Sequence, residues 1–389
     1  MPFNTNYLTW CFLIFFSAAV SCTNEPSEAP LPSGSTLPET DYTEEIYKWG
    51  FINQQGNLVV PDNFDDARNL SEGFAVIRKK GQWGFIDQTG KEAIPAQYKG
   101  AWSFSGGIAR ILTTEDKYGF INTDGEVVIA PLWEAANDFH QGLAVVQKNG
   151  LQGYCDKTGN LIIPIQFDKA YDFKNGYGKV KKVGKYGLID LQGNWVIKPD
   201  YEKISGFNDE LARAKKDGQY GYLNRKGQWV VAPQFIDAKD FHEGLAVVAT
   251  ETGYGLIDLK GQFVAKPQYD VLWYANDGRW AYGKNGKFGF LNYTGRLVTA
   301  AEFDLVYKYS EGLAGFQKNE FWGYLNLDGQ EVIPPIYYLI WDFKENMARV
   351  ASDRGVVFIN KRGATLLAPR FLDVRDFSEG LARVQVFRQ

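Results

Sequence analysis

The octapeptide at residues 83–90, WGFIDQTG, recurs along the chain at a spacing of 34 residues, with a single step of 35. Close copies begin at Trp49, Tyr118, Tyr186, Tyr220, Tyr254, Phe288 and Trp322, and two worn ones cover residues 153–159 and 356–363. A fixed period of this length implies one small unit that cannot bury its own apolar face and must stack on copies of itself. The 389 residues are therefore read as one array rather than as two or three unrelated domains.

Each unit carries its own punctuation. Three residues after the glycine of the WG pair stands Asn or Asp (Asn53, Asp87, Asn122, Asp156), and six after it stands Gly (Gly56, Gly90, Gly125, Gly159). An Asx side chain accepts from backbone N–H groups just downstream and Gly supplies a left-handed residue, so this spacing predicts a hairpin with a bulge. Upstream lies a second apolar stretch, joined by Lys148-Asn149-Gly150 or Lys216-Asp217-Gly218, again hairpin signals. Downstream a third stretch, such as GEVVIAP from Gly125, ends at a proline that cannot extend a ladder. The unit is predicted to be a three-stranded antiparallel meander. The linker that follows spaces its apolar residues three apart (Phe167, Ala170, Phe173), which predicts a helical turn. Its first apolar position is always aromatic, from Phe64 and Tyr98 to Tyr337 and Phe371, and these rings are expected to form the continuous core.

The expected fold is all-β: an array of about ten units over residues 44–389, arranged as an open curved superhelix or solenoid. The alternative is a closed, propeller-like ring, because the array starts on the second strand of a unit and ends on the first strand of another. Ten units make a large ring, which favours the open form. One unit tests the packing. Its third linker position is Ala275 instead of a large side chain, and five residues later Trp280 replaces the usual Ala or Gly. Trp280 is expected to fill the space its own linker has vacated, a volume-conserving swap; the alternative is a local pocket lined by Trp280.

The beginning of the chain differs from the array. Residues 7–19 are an apolar run too short for a comfortable membrane span, followed by small residues, so residues 1–21 read as a secretory signal. Ala19, Val20, Ser21 and Cys22 resemble the lipobox of bacterial lipoproteins, which implies lipidation at Cys22. Residues 22–43 are rich in Pro, Ser, Thr and Glu and read as a flexible tether. Cys155 is left alone in the array, at a position where other units have Ile or Leu, and is expected to be a buried apolar residue.

The elements EGLAVV (residues 243–248), WGFIDQTG (83–90) and VIPPIY (332–337) together resemble the WG-repeat family, found widely in bacterial and often exported proteins. The resemblance covers residue 49 to the C-terminus. It implies a binding or scaffolding role and brings no catalytic residues with it.

No catalytic motif breaks the pattern. The two histidines, His140 and His242, share one repeat position without a second ligand at metal spacing, so neither metal nor cofactor is expected. A net charge of −4 argues against a nucleic-acid surface. Two charged rows remain. An acidic one includes Asp168 and Asp270, and a basic one includes Lys148, Lys182 and Lys216. The bland reading of the rows is capping of a helical turn and blunting of strand edges. The functional reading is a striped surface for an extended protein partner. Trp102, Trp273 and Trp341 stand in linkers outside the common pattern and offer rings for a glycan instead. The sequence thus predicts a non-enzymatic scaffold at the bacterial cell envelope, anchored at the outer membrane through Cys22 and binding a protein or a polysaccharide.

Overall fold

The computed structural model describes residues 47–368 and 371–387. The signal segment, Cys22 and the tether lie outside the described residues. The array belongs to one compact body, Glu45–Gln389.

Each repeat folds as an antiparallel sheet, or blade, with four described strands in nine blades and three in the blade Val271–Asn292. In blade 1 the strands are Asp66–Ala67, Phe74–Lys79, Gln82–Asp87 and Glu92–Tyr98. The first of these is the linker, so the expected three-stranded meander with a helical linker is corrected: the linker adds a short strand to the blade that follows it. Its backbone is claimed by that blade, Asp65 N–H donating to Arg78 O and Arg68 N–H to Val76 O. The chain passes from one blade to the next almost without a break, since strand Glu92–Tyr98 is followed after one residue by strand Gly100–Ala101 of blade 2. That single-residue kink shifts the two-residue alternation by one, and the resulting spacing of three mimics a helix.

The dipeptide that defines the repeat has a steric cause. A Cβ on Gly84 would meet Ile94 O and Ala96 N at 2.6 Å, because the fourth strand bulges across the third at this point. The same approach recurs at Gly153 and Gly221. In blade 9, where Val357 replaces the glycine, the described part of the fourth strand is Thr365–Leu367, paired at Phe358↔Leu367 and Ile359↔Thr365.

The open superhelix is also corrected: the ring is closed. Blade 10 takes its first two strands, Asp373–Ser378 and Leu381–Phe387, from the end of the chain, and its last two, Tyr47–Asn53 and Leu58–Phe64, from the beginning. The seam is a continuous ladder from Tyr47↔Phe387 to Asn53↔Leu381. The ends of the array are complementary halves of one blade, and an open form would leave both as unpaired edges. The result is a ten-bladed β-propeller.

The core lies between blades. Val76, Phe85 and Ile94 of blade 1 meet Ala109, Ile111 and Ile121 of blade 2, with Tyr98, Ala101 and Phe104 of the connecting segment between them. Across the seam, Phe51, Val60 and Phe64 of blade 10 meet Ala75, Ile77 and Ile86 of blade 1 in the same way.

Candidate interaction surfaces

In an antiparallel meander the first and third turns share one face of the ring, and the second turn lies on the other. Lys157 in a third turn accordingly reaches Gly106 O in a first turn at 2.7 Å.

The first turns are two-residue hairpins with both residues at positive φ, as at Glu72 (53°) and Gly73 (81°). Their acidic residues reach forward around the ring. Glu72 accepts from Gly106 and Gly107 N–H at 2.6 and 2.9 Å, and Glu243 from Gly278 N–H at 3.2 Å. Glu379 closes the circuit by accepting from Glu72 and Gly73 N–H at 2.8 and 2.9 Å. The third turns are the Asx loops read from the sequence: Asp87 Oδ1 accepts from Thr89 and Lys91 N–H at 2.8 and 3.1 Å, with Gly90 at φ 85°.

The acidic row lies where one blade passes to the next, and it caps second-turn hairpins rather than helical turns. Asp168 accepts from Gly184 N–H at 3.0 Å, Asp270 from Asn285 N–H at 2.7 Å and Glu134 from Asn149 N–H at 3.0 Å. The Asn149 and Gly150 N–H groups hold the Glu134 carboxyl below its usual range. At Asp65 burial pushes the other way, but the Lys48 ammonium and Gly81 N–H outweigh it and the carboxyl is again lowered. These carboxylates are committed to the blade's own backbone.

The basic row sits on the same second-turn face. Lys148 is exposed; Lys182 donates to Gln166 Oε1 at 2.8 Å, and Lys216 pairs with Asp200 at 2.6 Å. Asp200 raises the affinity of the Lys216 amine for its proton.

The linker tryptophans are half-buried, and two carry a guanidinium. Arg110 lies 4.1 Å from the Trp102 ring centre and Arg349 lies 4.5 Å from that of Trp341. Trp273 meets the Phe288 ring edge-on at 5.8 Å. Trp280 is 0 % exposed and packs among Leu245, Leu256 and Tyr269. In the interface one step earlier the corresponding space holds Phe241 on Tyr222, and Leu256 replaces that tyrosine. Trp280 therefore lies in a core interface, and Ala275 packs in the next one. Cys155 is fully buried, and burial pushes its thiol up to about 12. His140 faces Asp172 at 3.5 Å and His242 stacks on Tyr274 at 4.4 Å. Among the described residues no group of three His, Cys, Asp or Glu side chains is placed to hold a metal.

Two surface features escape the sequence reading. One is an apolar band on the fourth strands, each the last strand of its sheet: Val59, Val128, Ile162, Val230, Val332 and Leu366 are exposed at one repeat position. Its signal is in the sequence, an aliphatic pair before the proline where a half-buried strand needs one. The other is Val183, at a second turn where other units have Asn149 or Asp217.

The architecture defines a repeat-built propeller in which most charged rows secure the turns of the ring. The chain belongs to the WG-repeat family: the pattern described as WG containing repeat matches ten consecutive copies from residue 49 to residue 386. Comparison with curated proteins gave no match. Among solved structures the chain is similar to the computationally designed Ika8 protein, at 13 % identity over 81 % of this chain and 97 % of that one, with a TM-score of 0.35. It is also similar to a eukaryotic initiation factor, at 10 % identity over 84 % and 99 % of the two chains, with a TM-score of 0.46. A third is BamB from Moraxella catarrhalis, at 12 % identity over 60 % and 88 %, with a TM-score of 0.32. All three scores are low, and the fold rests on the strand pairing itself.

Proposed function

We propose that the protein is a non-catalytic scaffold of the bacterial cell envelope, held at the outer membrane by lipid on Cys22, that binds an extended protein segment. The observation that carries the binding mode is the repeated apolar band. Val128 and Ile162 lie on adjacent blades, as do Val332, Leu366 and Val59, so an extended chain crossing either group would meet the same contact at each step. The prolines that follow, such as Pro164 and Pro233, keep another sheet from adding along the whole edge. Exposed lysines such as Lys148 would speed encounter with an acidic partner. The acidic half of the striped surface has no place in this reading, because Asp168 and Asp270 hold hairpins. Nothing favours glycan stacking on Trp102 and Trp341, whose rings lie against Arg110 and Arg349.

Affinity capture from envelope extract with Glu45–Gln389, alongside the Ile162→Lys/Val230→Lys variant, tests the binding mode. A protein retained at high salt and lost with the variant is expected. A captured glycan, or a protein indifferent to the variant, would sink it. Anchoring is checked separately by palmitate labelling, which Cys22→Ala should abolish.

A further inference from the structure

Val183 has the largest exposure of the exposed large hydrophobic side chains, at 88 %. It forms the second turn of blade 4, between Lys182 and Gly184, with a φ of 49°. The same position in other blades holds Lys80, Asn149, Asp217, Asn285 or Asn319, at φ between 50° and 55°. Asn and Asp tolerate this left-handed conformation, whereas a β-branched residue there is an outlier. The tip thus presents an aliphatic group to solvent in a backbone geometry that disfavours it, and such strain is retained where a site uses it.

The surroundings are basic. Lys181, Lys182 and Lys185 flank the tip, and Lys169 stands directly across the ladder from Lys181. In blade 5 Lys203 stands opposite Lys215. Like charges directly opposed destabilise a sheet, and blade 1 has Asp66 opposite Arg78 at this place. The ion pairs of this region engage Arg213, Lys216 and Arg225. Among the described residues none joins Lys169, Lys181, Lys185, Lys203 or Lys215 to a carboxylate. The acidic side chain of the common row in this blade, Asp168, is held by Gly184 N–H, while Asp200 pairs with Lys216 and also feels the charge of Lys185.

Position on the ring supplies the occupant. In blade 10 Tyr47 and Phe387 pair where a second turn would otherwise be, so the seam ladder begins on the face that carries the Val183 tip. Blades 4 and 5 lie across the ring from that seam. An aliphatic tip among lysines of which Lys169, Lys181 and Lys215 lie near tyrosine rings and join no carboxylate, on the face where Tyr47 begins the ring, has the chemistry of a contact with anionic lipid.

We infer that the blade 4 tip, with the lysines of blades 4 and 5, is a membrane contact: Val183 enters the headgroup boundary and the lysines bind anionic headgroups. This deepens the envelope reading by giving the ring a second attachment opposite its seam. It does not require the lipid at Cys22, which the experiment omits.

Every apolar cluster of the propeller lies within Glu45–Gln389, so that segment contains its whole core. It is sedimented with vesicles of mixed phosphatidylglycerol and phosphatidylcholine, with vesicles of phosphatidylcholine alone, and with the mixed vesicles in the presence of soluble polyglutamate. Binding to the mixed vesicles only, persisting in polyglutamate and weakened by salt, is expected. Lys181→Ala and Lys203→Ala should each weaken it about 5-fold, and Lys260→Ala, in a third turn on the opposite face, should leave it unchanged. Val183→Asn should weaken it about 10-fold while raising the midpoint of thermal unfolding. That opposition separates a membrane role from a structural one. No vesicle binding, full displacement by polyglutamate, or Val183→Asn binding as well as the parent would each overturn the inference. Failure here leaves palmitate labelling at Cys22 untouched, so the two readings fail separately.

Discussion

Arg349 is only 5 % exposed, and its partners account for so buried a charge. Nη1 donates to Val374 O at 2.6 Å, Nε donates to Asp376 Oδ1 at 2.5 Å, and the guanidinium rests on Trp341. It reaches from blade 9 to the first strand of blade 10 and so ties the two blades together. Arg213 makes the equivalent reach, to Ala238 O at 2.8 Å and Asp240 at 2.9 Å. Arg349→Ala leaves Asp376 with Lys344 alone and Val374 O without its side-chain donor. It should cost about 2–4 kcal/mol in urea unfolding. Arg349→Lys should recover little, because an ammonium cannot serve both acceptors. The residue types of these latches were visible in the sequence; their pairing was not, because Arg and Asp belong to consecutive repeats and only the stacking of blades brings them together.

At the level of the strand, the WG glycine is a matter of clearance. Gly84→Ala would push a methyl into the backbone at Ile94 and Ala96. A cost of about 1–3 kcal/mol is expected, with hydrogen exchange rising first in strand Glu92–Tyr98. The hairpins carry a pH dependence of definite sign. Glu134, Asp65 and Asp304 have folded values below their ordinary 4.5, 3.8 and 3.8. The unfolded chain therefore binds protons first, and the stabilisation is complete above about 4.5 and is lost as pH falls through the lower folded values. Urea midpoints should stay level from neutral pH down to about pH 5 and then drop. Glu134→Gln should shrink that drop, since an amide keeps one acceptor and loses the charge. The Asx loops and Gly90 were legible because their chemistry is local to four residues. The acidic row was recognised as a capping row but assigned to a helix, because Asp168 and its partner Gly184 are 16 residues apart.

For the whole molecule, the period and the interblade aromatic core could be read directly, and ring closure could not. Closure depends on the small rotation between neighbouring blades, which the turns and staples set collectively and no single residue encodes. The seam offers a direct test. A circular permutant that joins Phe387 to Tyr47 through a short turn and opens the chain between Asn149 and Gly150 should fold to the same ring, since the join only restores a second turn and the cut only removes one. One cooperative transition near the parent's midpoint is expected; loss of cooperativity would mean the seam ladder is not formed.

The blade that straddles the two ends also bears on how such a gene can change. Because each repeat contributes its linker to the next blade, an in-frame duplication or loss of one repeat anywhere in the array reproduces every junction already present. The seam still finds its complement, and only the rotation between blades must relax, from one tenth of a turn to one eleventh or one ninth. Unequal recombination between repeats is therefore a route to rings of a new circumference without any new interface having to arise.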